Sequence, residues 1–224
     1  MSKDTADVRT LGYVLRRTNY GEADRILNII TKQGKISAIA KGVRKSKSKL
    51  AGNIEIFSLI DFNIHQGKSE LGIVTGAKML KHHSNILKNY DHLELASTIL
   101  KNISAASENS DNPDFFDITD QSLAGLNANL NSTLVEAWFY LRLAQASGEE
   151  INLYRETDGN PLSPEQSYTW DFMEKSLKPT ANGNISAAEI KFLRLMSTAK
   201  LAVVAKVKNI DELLPPIFSI IKNN

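Results

Sequence analysis

Residues 24–32 and 35–41 are two β-type runs on either side of a Gln33-Gly34 corner, an arrangement that closes as a hairpin. The second run empties into Val43-Arg44-Lys45-Ser46-Lys47-Ser48-Lys49, which holds four cations and no acid. A twisted β-hairpin therefore delivers a cationic loop to one place, and any fold for this chain has to accommodate that delivery.

The pattern continues on both sides of the hairpin. Residues 12–17 read as a strand before it, and residues 55–65 and 70–78 as a second hairpin after it, with Gln66-Gly67-Lys68 as the connecting turn. No proline interrupts the stretch from Arg9 to Leu80. Five short strands with a longer connection between the third and fourth suit a small closed barrel such as the OB-fold. Strand counting alone leaves an SH3-like barrel open.

After His83 the hydrophobic period changes from two to about 3.6, with Ile86, Leu87, Leu93, Leu95, Ile99 and Leu100 at helical spacing. Asn112-Pro113 interrupts it, and helices are expected over 114–126 and 132–147, the latter closed by Gly148 and carrying Leu134, Trp138, Leu141 and Ala144 on one face. Ser163-Pro164-Glu165-Gln166 and Ser186-Ala187-Ala188-Glu189 both match the capping box and predict helix starts. A last helix over 210–220 contains Pro215-Pro216, which predicts a short or broken element. Turns are expected at Asp158-Gly159-Asn160-Pro161 and Asn182-Gly183-Asn184, and residues 149–163 show no clear period. The fold class expected is α+β: a five-stranded amino-terminal barrel over residues 1–80 and an all-helical domain over 81–224.

Composition narrows the chemistry. With 224 residues and 42% hydrophobic content the chain can bury substantial cores. It has no cysteine, which excludes disulfides, thiolate zinc sites and a cysteine nucleophile. No apolar run approaches the roughly 20 residues that span a bilayer, and MSKDTADVRT has no stretch of the kind a secretory signal requires, so a cytoplasmic location and no membrane partner are expected. The net charge is only +2, but residues 1–80 hold 14 Lys/Arg against 7 Asp/Glu and residues 81–224 hold 13 against 18. Such asymmetry points to a polyanion-binding module joined to a more acidic body.

The cationic stretch Lys41–Lys49 is the leading functional candidate, because phosphate binding needs several flexible donors projecting together. Its alternative is a solvated loop that keeps the protein in solution. Arg16, Arg17, Arg25 and Lys35 lie on neighbouring strands or their ends and widen the patch if they share its face. Tyr13, Tyr20, Phe57 and Phe62 are either stacking platforms for bases or core. The histidines, His65, His82, His83 and His92, lack metal-ligand spacing. Asp111, Asp114, Asp117 and Asp120 describe a helix face or acidic first turn, and neither they nor Glu149-Glu150 form a converging carboxylate pair. No phosphate-cradling glycine loop, nucleophile elbow or H-E-x-x-H is present, so no enzyme activity and no cofactor are expected.

The pieces Y-G-E-x-D-R from Tyr20, G-K-x-x-x-x-A-K-G from Gly34 and K-S-x-L-A-G from Lys47, in this order and spacing, resemble the amino-terminal domain of the RecO family of bacterial recombination mediators. Farther on, Ala137-Trp138-Phe139-Tyr140-Leu141-Arg142-Leu143 resembles the family's aromatic helix, and Leu162-Ser163-Pro164-Glu165 its S-P-E segment. The resemblance implies an OB-fold followed by a helical domain. It implies DNA repair and recombination without catalysis: binding of single- and double-stranded DNA, annealing of complementary strands, engagement of RecR and of the acidic tail of single-stranded DNA-binding protein, and help in loading RecA. An OB-fold module binding RNA or protein is the alternative. Many members carry a four-cysteine zinc module after the aromatic helix. Here the first C-x-x-C-G reads Arg155-Glu156-Thr157-Asp158-Gly159 and the second pair is replaced within 168–175, so a degenerate region near 149–180 is expected to hold by packing without metal. By the same resemblance Lys35, Lys41, Arg44, Lys45, Lys47 and Lys49 become DNA contacts. An acidic tail would need an apolar slot edged by cations, expected from Phe139, Arg142 and Leu143 on one helix and Lys191 and Arg194 on another.

Overall fold

A computed structural model describes residues 6–67, 69–149 and 151–222, so Lys68 of the expected turn, Glu150 and the first five residues lie outside the described residues. The chain forms two compact units, Met1–Asn129 and Leu130–Asn224.

The first unit is built on β1 (Ala6–Tyr20), β2 (Asp24–Thr31), β3 (Gly34–Ala40), β4 (Ser58–Gln66) and β5 (Gly72–His82), which close into a barrel in the order β1-β2-β3-β5-β4. β3 and β5 meet in parallel at Ala38–Gly72 and Ile39–Ile73, and β4 returns to β1 to close the ring. This connectivity is that of the OB-fold and settles the choice that strand counting left open. Leu27 and Ile29 on β2 and Ile60, Phe62 and Ile64 on β4 point inward at every second position and form one core with Val14, Ala38, Ala40, Val43, Ile54 and Val74. β1 serves two neighbours: Gly12 pairs with Thr31 on β2 and with Ile60 on β4. A Cβ there would lie 2.9 Å from the Ile30 carbonyl oxygen, so only glycine lets the strands approach this closely. A bulge between Val14 and Arg16 then bends β1 along the barrel wall.

β1 begins six residues before the strand expected from residue 12. Its first half, Ala6–Leu11, is largely exposed and carries Asp7 and Arg9, so it lacks the buried alternation that marks a strand in sequence.

Two helices, α1 (Tyr90–Ala106) and α2 (Asp114–Asn127), complete this unit. They pack on the outward face of β1 and β2. Tyr13 lies fully buried beneath them, its hydroxyl donating to Asp120 on α2 over 2.6 Å and lying 3.3 Å from His83 Nε2. The barrel ends with β5 at His82, and α1 and α2 belong to the same compact unit. The outer wall around Tyr13 and Ile30 is apolar and needs the helices as cover.

The second unit holds α3 (Ser132–Ala146), a two-stranded antiparallel sheet of β6 (Tyr168–Asp171) and β7 (Ser176–Pro179), then α4 (Ala187–Thr198), the short α5 (Leu201–Val204) and α6 (Ile210–Lys222). Asn131 caps α3 by accepting from Leu134 N, and α4 opens on the Ser186/Glu189 capping box read in the sequence. Two expectations are corrected. Ser163-Pro164-Glu165-Gln166 starts no helix. The Ser163 amide donates instead to the Tyr168 hydroxyl over 2.7 Å, and the segment leads into β6, so the expected all-helical domain contains a small sheet at residues 168–179. And Pro215-Pro216 do not break α6. Both sit in its second turn, where the carbonyls they leave unbonded belong to the exposed Asp211 and Glu212, while Leu214, Ile217, Ile220 and Ile221 bury the opposite face.

Tyr168 organises the segment from Glu156 to Ile185. Its ring is fully buried; its hydroxyl accepts from Ser163 N and donates toward Glu156 Oε1 at 3.1 Å; its backbone exchanges two hydrogen bonds with Ile185. Bridges Arg155–Pro161 and Glu156–Leu177 tie the surrounding strands to the same hub.

Candidate nucleic-acid interface

β3 leaves the barrel at Ala40 and the backbone turns at Gly42, whose φ of +64° only glycine adopts readily. Asp24 accepts the Gly42 amide over 2.7 Å, and Arg44 N donates to the Ala23 carbonyl over 2.8 Å, fastening the segment to the β1–β2 turn. Val43 plugs into the barrel core, and Leu50 and Ile54 re-enter it at the far end. Between these anchors the backbone folds into successive turns, Lys45 N to Gly42 O at 3.1 Å and Ser48 N to Lys45 O at 3.0 Å, and Asn53 clasps the Lys49 carbonyl at 3.2 Å. The cationic loop is thus a structured strap rather than a loose one.

Its side chains face water. Lys41, Arg44, Lys45, Lys47 and Lys49 are all exposed. Among the described residues the four lysines have no side-chain hydrogen bond or ion pair, and Arg44 reaches only the Gly21 carbonyl at 3.2 Å. That bond sets Arg44 against the β1–β2 turn, where Tyr20 is 56% exposed. Arg25, at the start of β2, donates to Asn19, its partner at the end of β1, at 3.2 Å and belongs to this end of the barrel. Arg16 is exposed at mid-strand, level with Asn28 and, through it, Ser37. Glu22 is an exposed acid on the same turn.

Two expected members of the patch are elsewhere engaged. Lys35 sits at the opposite end of β3 from Lys41, roughly 20 Å away along the strand. It is ion-paired to Glu108 at 2.5 Å and its side chain is largely buried. Arg17 holds Glu55 at 3.0 Å and the Ile54 carbonyl at 3.4 Å, a clamp on the exit of the strap. Of the four aromatics considered for stacking, Tyr13, Phe57 and Phe62 are core and Tyr20 alone is exposed. Lys78 was not legible as a neighbour: Met79 N donates to Asn53 Oδ1 at 3.2 Å, which brings exposed Lys78 of β5 beside the strap's exit through a contact of long sequence separation.

The histidines and acids disperse. His65 meets Asp7, His82 meets Ser58, and His83 and His92 are buried at separate places. Burial holds His83 at a pKa of about 4, with the Lys81 charge adding to the same shift. Burial and the Asp120 bond push the Tyr13 phenol far above its usual range. Asp114 and Asp117 lie in the first turn of α2, and Asp120 is taken by Tyr13. Among the described residues no group of three or more such side chains is arranged to hold a metal ion.

The slot expected for an acidic tail is not formed by the residues named for it. Phe139 is 0% exposed, and Leu143 is half-buried. Arg142 donates to the Ser197 carbonyl and lies over the Trp138 ring. Arg194 gives two hydrogen bonds, 2.9 and 2.7 Å, to the Leu153 carbonyl and lies over Tyr154 at 4.7 Å. These contacts tie α3, α4 and the segment at residue 153 together, and Lys191 is the exposed member of the set. Helical spacing marks an apolar face without saying whether a neighbouring helix or a partner covers it.

The family model described as Recombination protein O N terminal matches residues 1–83, and that described as Recombination protein O C terminal matches residues 89–223. Among similar curated proteins, DNA repair protein RecO of Rubrobacter xylanophilus is 34% identical over 142 residues, 62% of this chain and 57% of that protein. DNA repair protein RecO of Alkaliphilus metalliredigens is 31% identical over 171 residues, 75% of this chain and 68% of its own length. That of Dehalococcoides mccartyi strain CBDB1 is 26% identical over 239 residues, 97% of this chain and 89% of its own length. The matched stretches thus span a little over half of the Rubrobacter protein and most of the Dehalococcoides one. Among the described residues no helix is long and apolar enough to cross a membrane. A closed barrel ending in an exposed cationic strap, a helical unit after it, and matches to both halves in order together make this chain a member of the RecO family of DNA repair proteins.

Proposed function

We propose that this chain is a non-catalytic recombination mediator that binds single- and double-stranded DNA through backbone phosphates and anneals complementary strands. With RecR it helps load RecA onto DNA coated by single-stranded DNA-binding protein, in the cytoplasm at the nucleoid. The observation that carries the reading is the strap at residues 41–49, with five exposed cations held by backbone bonds at one end of a closed barrel. Lys41, Arg44, Lys45, Lys47 and Lys49 are its phosphate contacts, Arg16 and Arg25 extend them, and Tyr20 offers a stacking surface. Anchoring the strap beforehand lowers the ordering cost of binding, since only side chains remain to be fixed. Among the described residues no recognition helix accompanies these cations, so the contact is independent of base sequence. Annealing follows from the same charge: cations that neutralise phosphates on both strands relieve the repulsion that slows their encounter. Lys35 and Arg17, engaged by Glu108 and Glu55, take no direct part.

The family resemblance supports RecR and the acidic tail of single-stranded DNA-binding protein as partners; the residues that meet them lie outside the set Phe139, Arg142 and Arg194. The second reading, an OB-fold module for RNA or protein, rests on the fold alone. An annealing assay with complementary labelled oligonucleotides separates the two. The wild-type chain should accelerate annealing and K45A/K47A/K49A should not. A wild-type chain that leaves the annealing rate unchanged while binding RNA more tightly than DNA would select the second reading.

A further inference from the structure

From residue 190 to residue 210 the chain carries Lys191, Arg194, Lys200, Lys206 and Lys208 and no acid, whereas the remainder of the second unit carries 5 Lys/Arg against 11 Asp/Glu. Arg194 is engaged by the Leu153 carbonyl. The three lysines after α4 are exposed, and among the described residues their side chains have no hydrogen bond or ion pair. Their backbone gathers them. Val203 N bonds Lys200 O at 2.9 Å and Lys206 N bonds Val203 O at 3.0 Å, two successive turns that stack Lys200, Val203 and Lys206 on one side. Leu201 and Val204 anchor the other side in the core, leaving Val203 51% exposed between the two lysines. Lys208 follows two residues later, before the left-handed Asn209 that precedes α6.

We propose that Lys200, Lys206 and Lys208 form a second phosphate-contact surface, on the helical unit, which takes the backbone of a nucleic-acid strand; this rests on the DNA-binding reading above. Two features favour a phosphate backbone over an acidic protein segment. The lysines are spread along successive turns, as the repeated charges of a strand require, while Arg142 and Arg194, whose forks would grip one carboxylate or one phosphate bidentately, are occupied by backbone carbonyls. The cavity of about 440 Å³ beside Lys206 and Lys208 has an apolar lining of Leu134, Ala205, Val207 and Ile210, but Asp211 and Glu212 line it too and repel the carboxylates of an acidic, apolar-ended tail. A chain with one such surface on each unit offers phosphate contacts to a second strand and so adds to the charge neutralisation that favours annealing.

The test compares the full chain, K200Q/K206Q/K208Q and K45A/K47A/K49A in salt titrations with a labelled oligothymidylate, and repeats each with a polyglutamate peptide. All three substituted lysines are exposed, so thermal unfolding of the glutamine variant should match wild type. The variant should show a log–log salt slope shallower by about 2, at about 0.7 per lost contact, and the strap variant should show its own separate loss. A glutamine variant with wild-type slope and affinity overturns this proposal and leaves the strap's role standing. Loss of polyglutamate binding with an unchanged oligonucleotide slope overturns it in favour of an acidic protein partner. If the wild-type chain itself does not bind the oligonucleotide, the DNA-binding reading falls and this proposal with it.

Discussion

His83 couples the covering of the barrel to pH. It is buried beside Tyr13, and burial lowers its pKa to about 4, below the ordinary value of 6.5. Between these values the unfolded chain takes up a proton that the folded chain refuses. Stability therefore rises with pH across this window: the contribution is fully present above about 6.5 and is lost as pH falls through 4. A shift of this size corresponds to about 3 kcal/mol at most. Denaturant titrations of the wild type at pH 7.5, 5.5 and 4 should show the decline, and H83Q should flatten it; an equal decline in H83Q would assign the loss to other groups. The same residue illustrates what sequence leaves unsaid. A histidine doublet at 82–83 reads as one feature, yet His82 ends β5 exposed beside Ser58, while His83, just past the strand and bonded through its amide to the Phe57 carbonyl, is buried.

Single elements were legible where local periodicity had to match burial. β2, β3, α2 and α4 fall close to their expected limits because each carries its own buried alternation, helical face or cap. The first half of β1, the β6–β7 sheet and the unbroken α6 were not, because long-range pairing and packing decide them. At residues 152–185 the packing converges on Tyr168. Y168F should leave the Ser163 amide and the buried Glu156 carboxyl without their common partner, at a cost of about 1–3 kcal/mol. Urea unfolding measures this directly, and a loss under about 0.5 kcal/mol would show that the hydroxyl is dispensable. Because the chain has no cysteine, a strong chelator should leave its thermal midpoint where it is.

At the scale of the molecule, charge is the clearest guide and also the least resolved one. The excess of cations in residues 1–80 pointed to the candidate interface, but it could not say that Lys35 and Arg17 are held by Glu108 and Glu55 while the strap lysines are not. Hydrogen bonding to the β1–β2 turn and two apolar anchors turn a run of like charges into a defined surface, and that is a property of the closed barrel rather than of the run. If phosphates are what this surface meets, binding must be strongly salt-dependent and indifferent to base sequence. The decisive measurement is fluorescence anisotropy of labelled single-stranded DNA against the wild type and K45A/K47A/K49A over a range of salt concentrations. The triple variant should bind every sequence more weakly by the same factor, with a log–log slope shallower by about 2. Wild-type affinity and slope in that variant would contradict the assignment of the strap as the DNA contact.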